Sequence, residues 1–447
     1  MPETLTKKPA VLPRSQAKPT GRPEAQWQVL AYLAADNDLE GELLTDLAEM
    51  ERVGSRPGVV EVLAQVDRSP GNDMSKGNWH GTRRYYVTHG SDPRKINSRL
   101  LVDLGPTNTG DPGVLESFIR FGAHRYPARS TALVISNHGS GFYVPPEMLS
   151  RAAGPARSSP ARRRRRPIFH TTRERLREAT PASRGIAYDD GAADCLDNQE
   201  LRRVLATAHR VLGRKVDLVG MDACLMTMIE VAYQLREHVD VLVGSEEVEP
   251  GPGWPHAAIL GDLRKSPTMT PAELGAAVVQ RYIESYRHAG EAATQSAIDL
   301  GQLDDVVEAV DQLARQLLAG IKAAVVSAAL MGRGDGRSSS TMACTWTCTT
   351  SPRTWRRPPV SAASPTHVTR SSERSRRDGK QAIIARGQVG AGLAPARGLS
   401  IYFPPFRDPS IHYRDLDFAR RTRWADLLDA YLSEGRSRRA SINGSGL

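Results

Sequence analysis

Two residues in this chain stand where nucleophilic chemistry needs them, His138 and Cys224. Each follows an apolar run, 130–136 before Asn137-His138-Gly139-Ser140-Gly141 and 216–220 before Met221-Asp222-Ala223-Cys224. A short apolar run bounded by turn residues reads as a strand buried on both faces. In an open parallel sheet, ligands bind beyond the carboxyl ends of the strands. Both side chains are therefore expected on one sheet edge. A cysteine attacks as its thiolate, and a nearby imidazole supplies that state near neutral pH. The spacing of Leu225, Met228, Ile229 and Ala232 predicts a helix directly after Cys224, whose N-terminus would lower the thiol pKa. Backbone N–H groups at Gly139 and Cys224 would hold an oxyanion. The alternative for Cys224 is a small buried apolar residue, the usual fate of a free cysteine.

Acidic residues come next. Asp222, two before the cysteine, would pair bidentately with a guanidinium; its alternative is a turn or capping role. Glu246 and Glu247, with Glu249, lie in the Gly- and Pro-rich stretch 245–254 and are further candidates for substrate binding, or else form a solvated rim. Asp189-Asp190 reads as a plain turn, with calcium binding as its alternative. His80, His256 and His412 have no partner motif and are expected in surface or core roles. Cys195 lacks a preceding strand and reads as structural. Cys344 and Cys348 have no second pair to complete a metal site. Neither a metal nor another cofactor is expected.

The elements that must position these residues follow from periodicity. The run 27–35 is a buried strand, and Asp36-Asn37-Asp38 would cap a helix carrying Leu39, Leu43, Leu44, Leu47 and Met50. A strand at 59–66 completes a β-α-β unit, which implies parallel strands. Stretches 79–87 and 100–104 read as a small hairpin extension. Asp111-Pro112 opens the next helix, and Asp197 or Asn198 caps another. A strand at 239–244, helices at about 270–290 and 301–328 around a strand at 295–300, a strand at 398–403 and a helix at 424–432 complete the pattern. The fold class is α/β, a mainly parallel sheet flanked by helices in three layers.

The formal charge of +10 invites a nucleic-acid reading. It sits in two segments: 150–184 carries a net +9 and 333–380 a net +7, which leaves the rest at −6. The folded body is thus mildly acidic, and no nucleic-acid partner is expected. Residues 1–26 read as a disordered leader without a signal peptide, no apolar run is long enough to cross a bilayer, and the four cysteines suggest no disulfide framework. A cytoplasmic monomer without membrane contact is expected. Segment 333–380 lacks apolar periodicity, whereas an alternative frame over it reads as helix, so a frameshift pair is expected there. The domain expected over 27–320, with the basic insert 150–184, would be completed by 382–434 after an aberrant stretch at 321–381; 435–447 would be a disordered tail.

The strings NHGSG and MDACLM, each after an apolar strand, resemble the clostripain family of cysteine peptidases in the caspase-like superfamily. WQVLAYLAADNDLE, LDNQEL, SEEVEPGPGW and GLSIYFP are similar to that family too, so the resemblance covers about 27–320 and 382–433. It implies a caspase-like sheet, a catalytic dyad at His138 and Cys224, and Asp222 as the carboxylate that binds a basic side chain. The implied activity is cleavage of proteins and peptides after Arg or Lys, with self-cleavage at basic residues between the two dyad members. Five arginines in a row at 162–166 lie in that interval. The competing expectation is a catalytically inactive caspase-like binding protein.

Overall fold

The structure, a computed structural model, describes residues 23–142, 185–322, 345–347, 381–403 and 413–433. In chain order the elements that position the site are β1 (Ala25–Ala35), α1 (Glu40–Val53), β2 (Val60–Arg68), β3 (Gly81–Tyr86), β4 (Arg99–Gly105), α2 (Pro112–Arg125) and β5 (Ala128–Ser136). Then come β6 (Gly185–Asp189), β7 (Asp194–Asp197), α3 (Asn198–Leu212), β8 (Val216–Asp222), α4 (Ile229–Leu235) and β9 (Val239–Gly244). The last are α5 (His256–Lys265), α6 (Pro271–Ala289), β10 (Ala293–Asp299), α7 (Leu303–Lys322), β11 (Thr345–Thr347), β12 (Ile383–Val389), β13 (Ser400–Tyr402), α8 (Asp417–Arg421) and α9 (424–433).

Nine strands form one sheet in the order β12-β10-β9-β8-β5-β1-β2-β3-β4. The five central strands from β9 to β2 pair in parallel, and β10, β12, β3 and β4 join antiparallel at the two flanks. Strand β1 shows why the pattern works. Leu30, Tyr32 and Ala34 enter one core while Val29, Ala31, Leu33 and Ala35 enter the other, the period-2 alternation of a strand covered twice. Helices α2, α3, α4 and α7 contribute to the first core, and α1, α5 and α6 to the second. The result is the expected three-layer α/β architecture.

Helix starts follow their capping chemistry. Asp111 accepts from Gly113 N at 2.7 Å ahead of Pro112, and Asp197 forms a reciprocal capping box with Glu200. The stretches 79–87 and 100–104 form the expected hairpin extension, with β3 and β4 paired antiparallel at one edge of the sheet. Three expectations need correction. Residues 400–402 pair with β11 outside that sheet, whose outermost strand is β12. The first strand begins at Ala25, inside the stretch read as leader. The cap over Asp36-Asn37-Asp38 is also replaced: α1 has Leu39 at its N-cap position with no side-chain cap. The basic insert and nearly all of segment 333–380 lie outside the described residues.

Candidate active site

Strands β5 and β8 run in register to their carboxyl ends, where Ser136 pairs with Asp222 and Asn137 N donates to Asp222 O at 3.2 Å. The His turn and the Cys turn therefore leave the same sheet edge side by side. Their backbones touch. A Cβ on Gly139 would lie 2.5 Å from Cys224 O and 3.1 Å from Cys224 N, and one on Gly141 would lie 2.6 Å from Leu225 O. These glycines thus let one turn pack on the other, where the sequence suggested room for a substrate carbonyl. Strand β6 clamps the His turn: Ser140 N donates to Gly185 O at 3.0 Å, and Tyr188 N to Asn137 Oδ1 at 2.7 Å.

His138 is buried, and its Nε2 lies 2.8 Å from Asp38 Oδ1. Asp38 comes from the turn after β1, the strand beside β5. A carboxylate there orients the ring. The neighbouring Asn37 accepts from Leu39 N at 3.0 Å through Oδ1, and its amide donates to Ala34 O at 2.8 Å and Tyr188 O at 2.9 Å, tying the turn after β1 to β6.

Cys224 is fully buried. Helix α4 begins only at Ile229, so the thiol does not sit at a helix N-terminus. The expected lowering of its pKa is absent: burial pushes the thiol up to about 12, the Glu249 N–H works against that, and the charges of Glu249, Glu247 and Asp222 add to it. Between Cys224 and α4 the chain makes an irregular turn with Leu225 at φ 64°, a left-handed conformation that costs a branched residue about 1–2 kcal/mol. The loop 245–254 holds this turn in place. Leu225 N donates to Glu247 O at 3.1 Å, Thr227 N to Ser245 O at 3.0 Å, and Glu249 N to the Cys224 sulfur at 3.3 Å.

That loop is not a solvated rim. Glu246, Glu247 and Glu249 are all buried. Glu246 accepts from Gly398 N at 2.7 Å and Arg397 N at 3.4 Å, so its carboxylate is spent on the segment leading into β13. The Glu247 carboxyl is raised to about 7, by burial first and by Glu246 second. Glu249 carries the signature of a binding site. Burial and the adjacent, hydrogen-bonded Asp222 carboxylate push its carboxyl well above the ordinary range, and its Oε2 has no hydrogen-bond partner. Gln295 Oε1 and Tyr282 Oη, belonging to residues that interact with Glu249, are buried and unpartnered as well. Such concentrated unmet polarity is costly unless a ligand satisfies it.

The curated comparisons decide what these turns belong to. The model of the clostripain family matches residues 31–154 and 173–348. The chain belongs to the clostripain family. It is 30% identical over 336 residues to clostripain of Hathewaya histolytica, across 65% of this chain. The chain spans 56% of that relative's length. Among solved structures it is similar to a secreted C11 cysteine protease from Bacteroides thetaiotaomicron in complex with an irreversible peptide inhibitor. That match has a TM-score of 0.54 and 17% identity, covering 90% of this chain and 99% of the other. An inactive zymogen C11 protease from Parabacteroides distasonis matches with TM-score 0.52 and 19% identity over 89% and 98%. These likenesses carry the caspase-like fold expected of a clostripain relative.

Two described trios bring metal-ligating atoms within 4.8 Å of one another, Asp36 with Asp67 and Asp189, and Asp46 with Asp222 and His256. In the first, Asp189 accepts from Thr109 N and Ala192 N, both at 2.8 Å, so it orders the turn as the sequence suggested. In the second, an imidazole already bridges the carboxylates. Cys195 is buried with its thiol raised to about 12, chiefly by burial, in keeping with a structural role. Asp38 and His256 were missed by the sequence reading. Asp38 had a signal, since it too follows a buried strand at the same edge; His256 had none.

Proposed function

We propose that this clostripain-family chain is a cysteine endopeptidase that hydrolyses peptide bonds after Arg or Lys. Family membership supports the reaction, and the observation that carries it to these residues is the packing of the His138 and Cys224 turns against each other at one sheet edge. Cys224 Sγ attacks the scissile carbonyl carbon, an S–C bond forms, and the carbon–nitrogen bond breaks as His138 delivers a proton to the leaving amine. Water then cleaves the thioester, releases the acid and restores the thiol. Asp38 holds the imidazole in place through Nε2. The backbone N–H groups of Gly139 and Cys224 are assigned to the oxyanion. No cofactor takes part in these steps.

Preference for a basic residue rests on Asp222 and Glu249, two carboxyl groups in contact beside the nucleophile. A guanidinium would answer both in the bidentate manner that arginine favours. Glu246, whose carboxylate accepts from Gly398 N and Arg397 N, is assigned no part in this. The thiol is covered and burial pushes its pKa up, and we read the described conformation as a resting one. The eleven arginines of 150–184 lie between the dyad residues in sequence, and we assign self-cleavage there as the step that opens the site. Mass spectrometry of the purified chain tests it. Cleavage within 150–184 in wild type and its loss in Cys224→Ala are expected; identical intact masses would refute it.

A further inference from the structure

Asp222 Oδ2 is held from three directions. Ser136 Oγ at the end of β5 donates at 3.4 Å, Trp254 N at 3.3 Å, and His256 Nε2 at the first residue of α5 lies 3.2 Å away. The same Nε2 is 3.9 Å from Asp46 Oδ2 on α1. Asp46, Asp222 and His256 are 4%, 6% and 4% exposed, so water contributes little to any of them. Gly253, at φ 62°, packs against the same carboxylate: a Cβ placed there would lie 3.0 Å from Oδ1 and 3.1 Å from Oδ2.

We propose that His256, backed by Asp46, is a positioning residue for the specificity carboxylate Asp222. This rests on the reading that Asp222 receives the basic side chain of the substrate. The imidazole anchors Oδ2 from the layer behind the sheet edge, so that the carboxylate keeps one orientation for the incoming cation. Asp46 Oδ2 stands behind the ring, 3.9 Å from the same Nε2 and beyond hydrogen-bond reach. Two layers contribute, the helical layer of α1 and α5 with the rear carboxylate and the imidazole, and the sheet with the front carboxylate on β8. A buried carboxylate without such a hold rotates or takes up a proton, and either change weakens its contact with a guanidinium. Glycine at 253 keeps that wall of the pocket thin. His256 touches no reacting atom, so its removal should act on binding and spare the chemical step.

The test compares His256→Leu, His256→Gln, Asp46→Asn and Asp222→Asn in the full chain, with kcat and KM measured on matched fluorogenic amides carrying Arg or Lys at the cleaved bond. His256→Leu should raise KM for Arg about tenfold with kcat within about twofold of wild type. His256→Gln, whose amide still donates to Asp222, should recover most of that loss. Unchanged KM in His256→Leu, or equal losses of kcat in the Leu and Gln variants, would overturn the inference. Where His256→Leu does not fold by circular dichroism, Asp46→Asn decides. A several-fold rise in KM at constant kcat supports the relay, and an unchanged KM refutes it. Asp222→Asn separates the two levels. If it leaves KM for Arg untouched, the specificity reading fails; if it raises KM while His256→Leu does not, only the His256 inference fails.

Discussion

In the proposed mechanism Asp38 extends the His138 and Cys224 pair to three side chains, and its effect should be visible in rate. Replacing it with Asn keeps the shape of the contact to His138 Nε2 but exchanges the carboxylate for a neutral amide. We expect kcat on an Arg-amide to fall about 10- to 100-fold with little change in KM. Equal kinetics for wild type and Asp38→Asn would remove Asp38 from the mechanism. Asp222→Asn should act differently, lowering kcat/KM for basic substrates about 100-fold through lost binding. His138, Cys224 and Asp222 were legible in the sequence because each lies at or just past the end of an apolar run, where the sheet edge is predictable. Asp38–His138 and Asp222–His256 join residues 100 and 34 positions apart, and no local spacing reports such contacts. Glu246, Glu247 and Glu249 misled for a related reason. An acidic, glycine-rich stretch reads as solvated, yet its backbone hydrogen bonds draw it down over the cysteine turn.

At the scale of elements, the site depends on two turns that pack backbone to backbone. Gly139→Ala tests that packing, because the added methyl would meet Cys224 O and N, which cannot swing aside as a side chain would. A destabilisation of about 1–3 kcal/mol is expected, read from the urea midpoint, together with loss of peptidase activity. A variant with wild-type stability and activity would show that the turns lie further apart. The central parallel strands were readable because burial on both faces makes them continuously apolar. Strand β12 was not. Its apolar run is interrupted by Arg386-Gly387-Gln388 at the sheet margin, and its partner lies about 90 positions upstream in β10. The helix expected immediately after Cys224 failed for another reason: apolar spacing over 225–232 suited it, but Leu225 bends the wrong way and the first regular turn waits until Ile229.

For the whole molecule, burial of acidic side chains sets the response to pH. Glu230 accepts from Tyr402 N at 3.0 Å and Tyr413 Oη at 2.9 Å, joining α4 to the carboxyl-terminal segments. Burial raises its carboxyl, and that of Glu246, from 4.5 to about 7. A carboxyl that titrates higher in the fold than in the unfolded chain favours the fold while both are protonated, and that advantage disappears as pH rises through about 7. Each group contributes at most about 3 kcal/mol of this dependence. The thermal midpoint should therefore decline from about pH 5 to about pH 8, and Glu230→Gln, which keeps an acceptor but cannot titrate, should flatten the decline. Parallel curves for the two proteins would contradict this. The mildly acidic body that the charge distribution implied is thus also a body with several buried acids, which composition alone does not reveal.

The most direct test of the central claim is hydrolysis of a fluorogenic Arg-amide by the full-length chain and by its Cys224→Ala variant. The account predicts turnover by wild type, preference for Arg or Lys over a neutral side chain, and loss of turnover in Cys224→Ala. Absence of turnover in wild type after treatment that cleaves 150–184, or equal turnover in the two proteins, would contradict it and leave a caspase-like binding protein in its place.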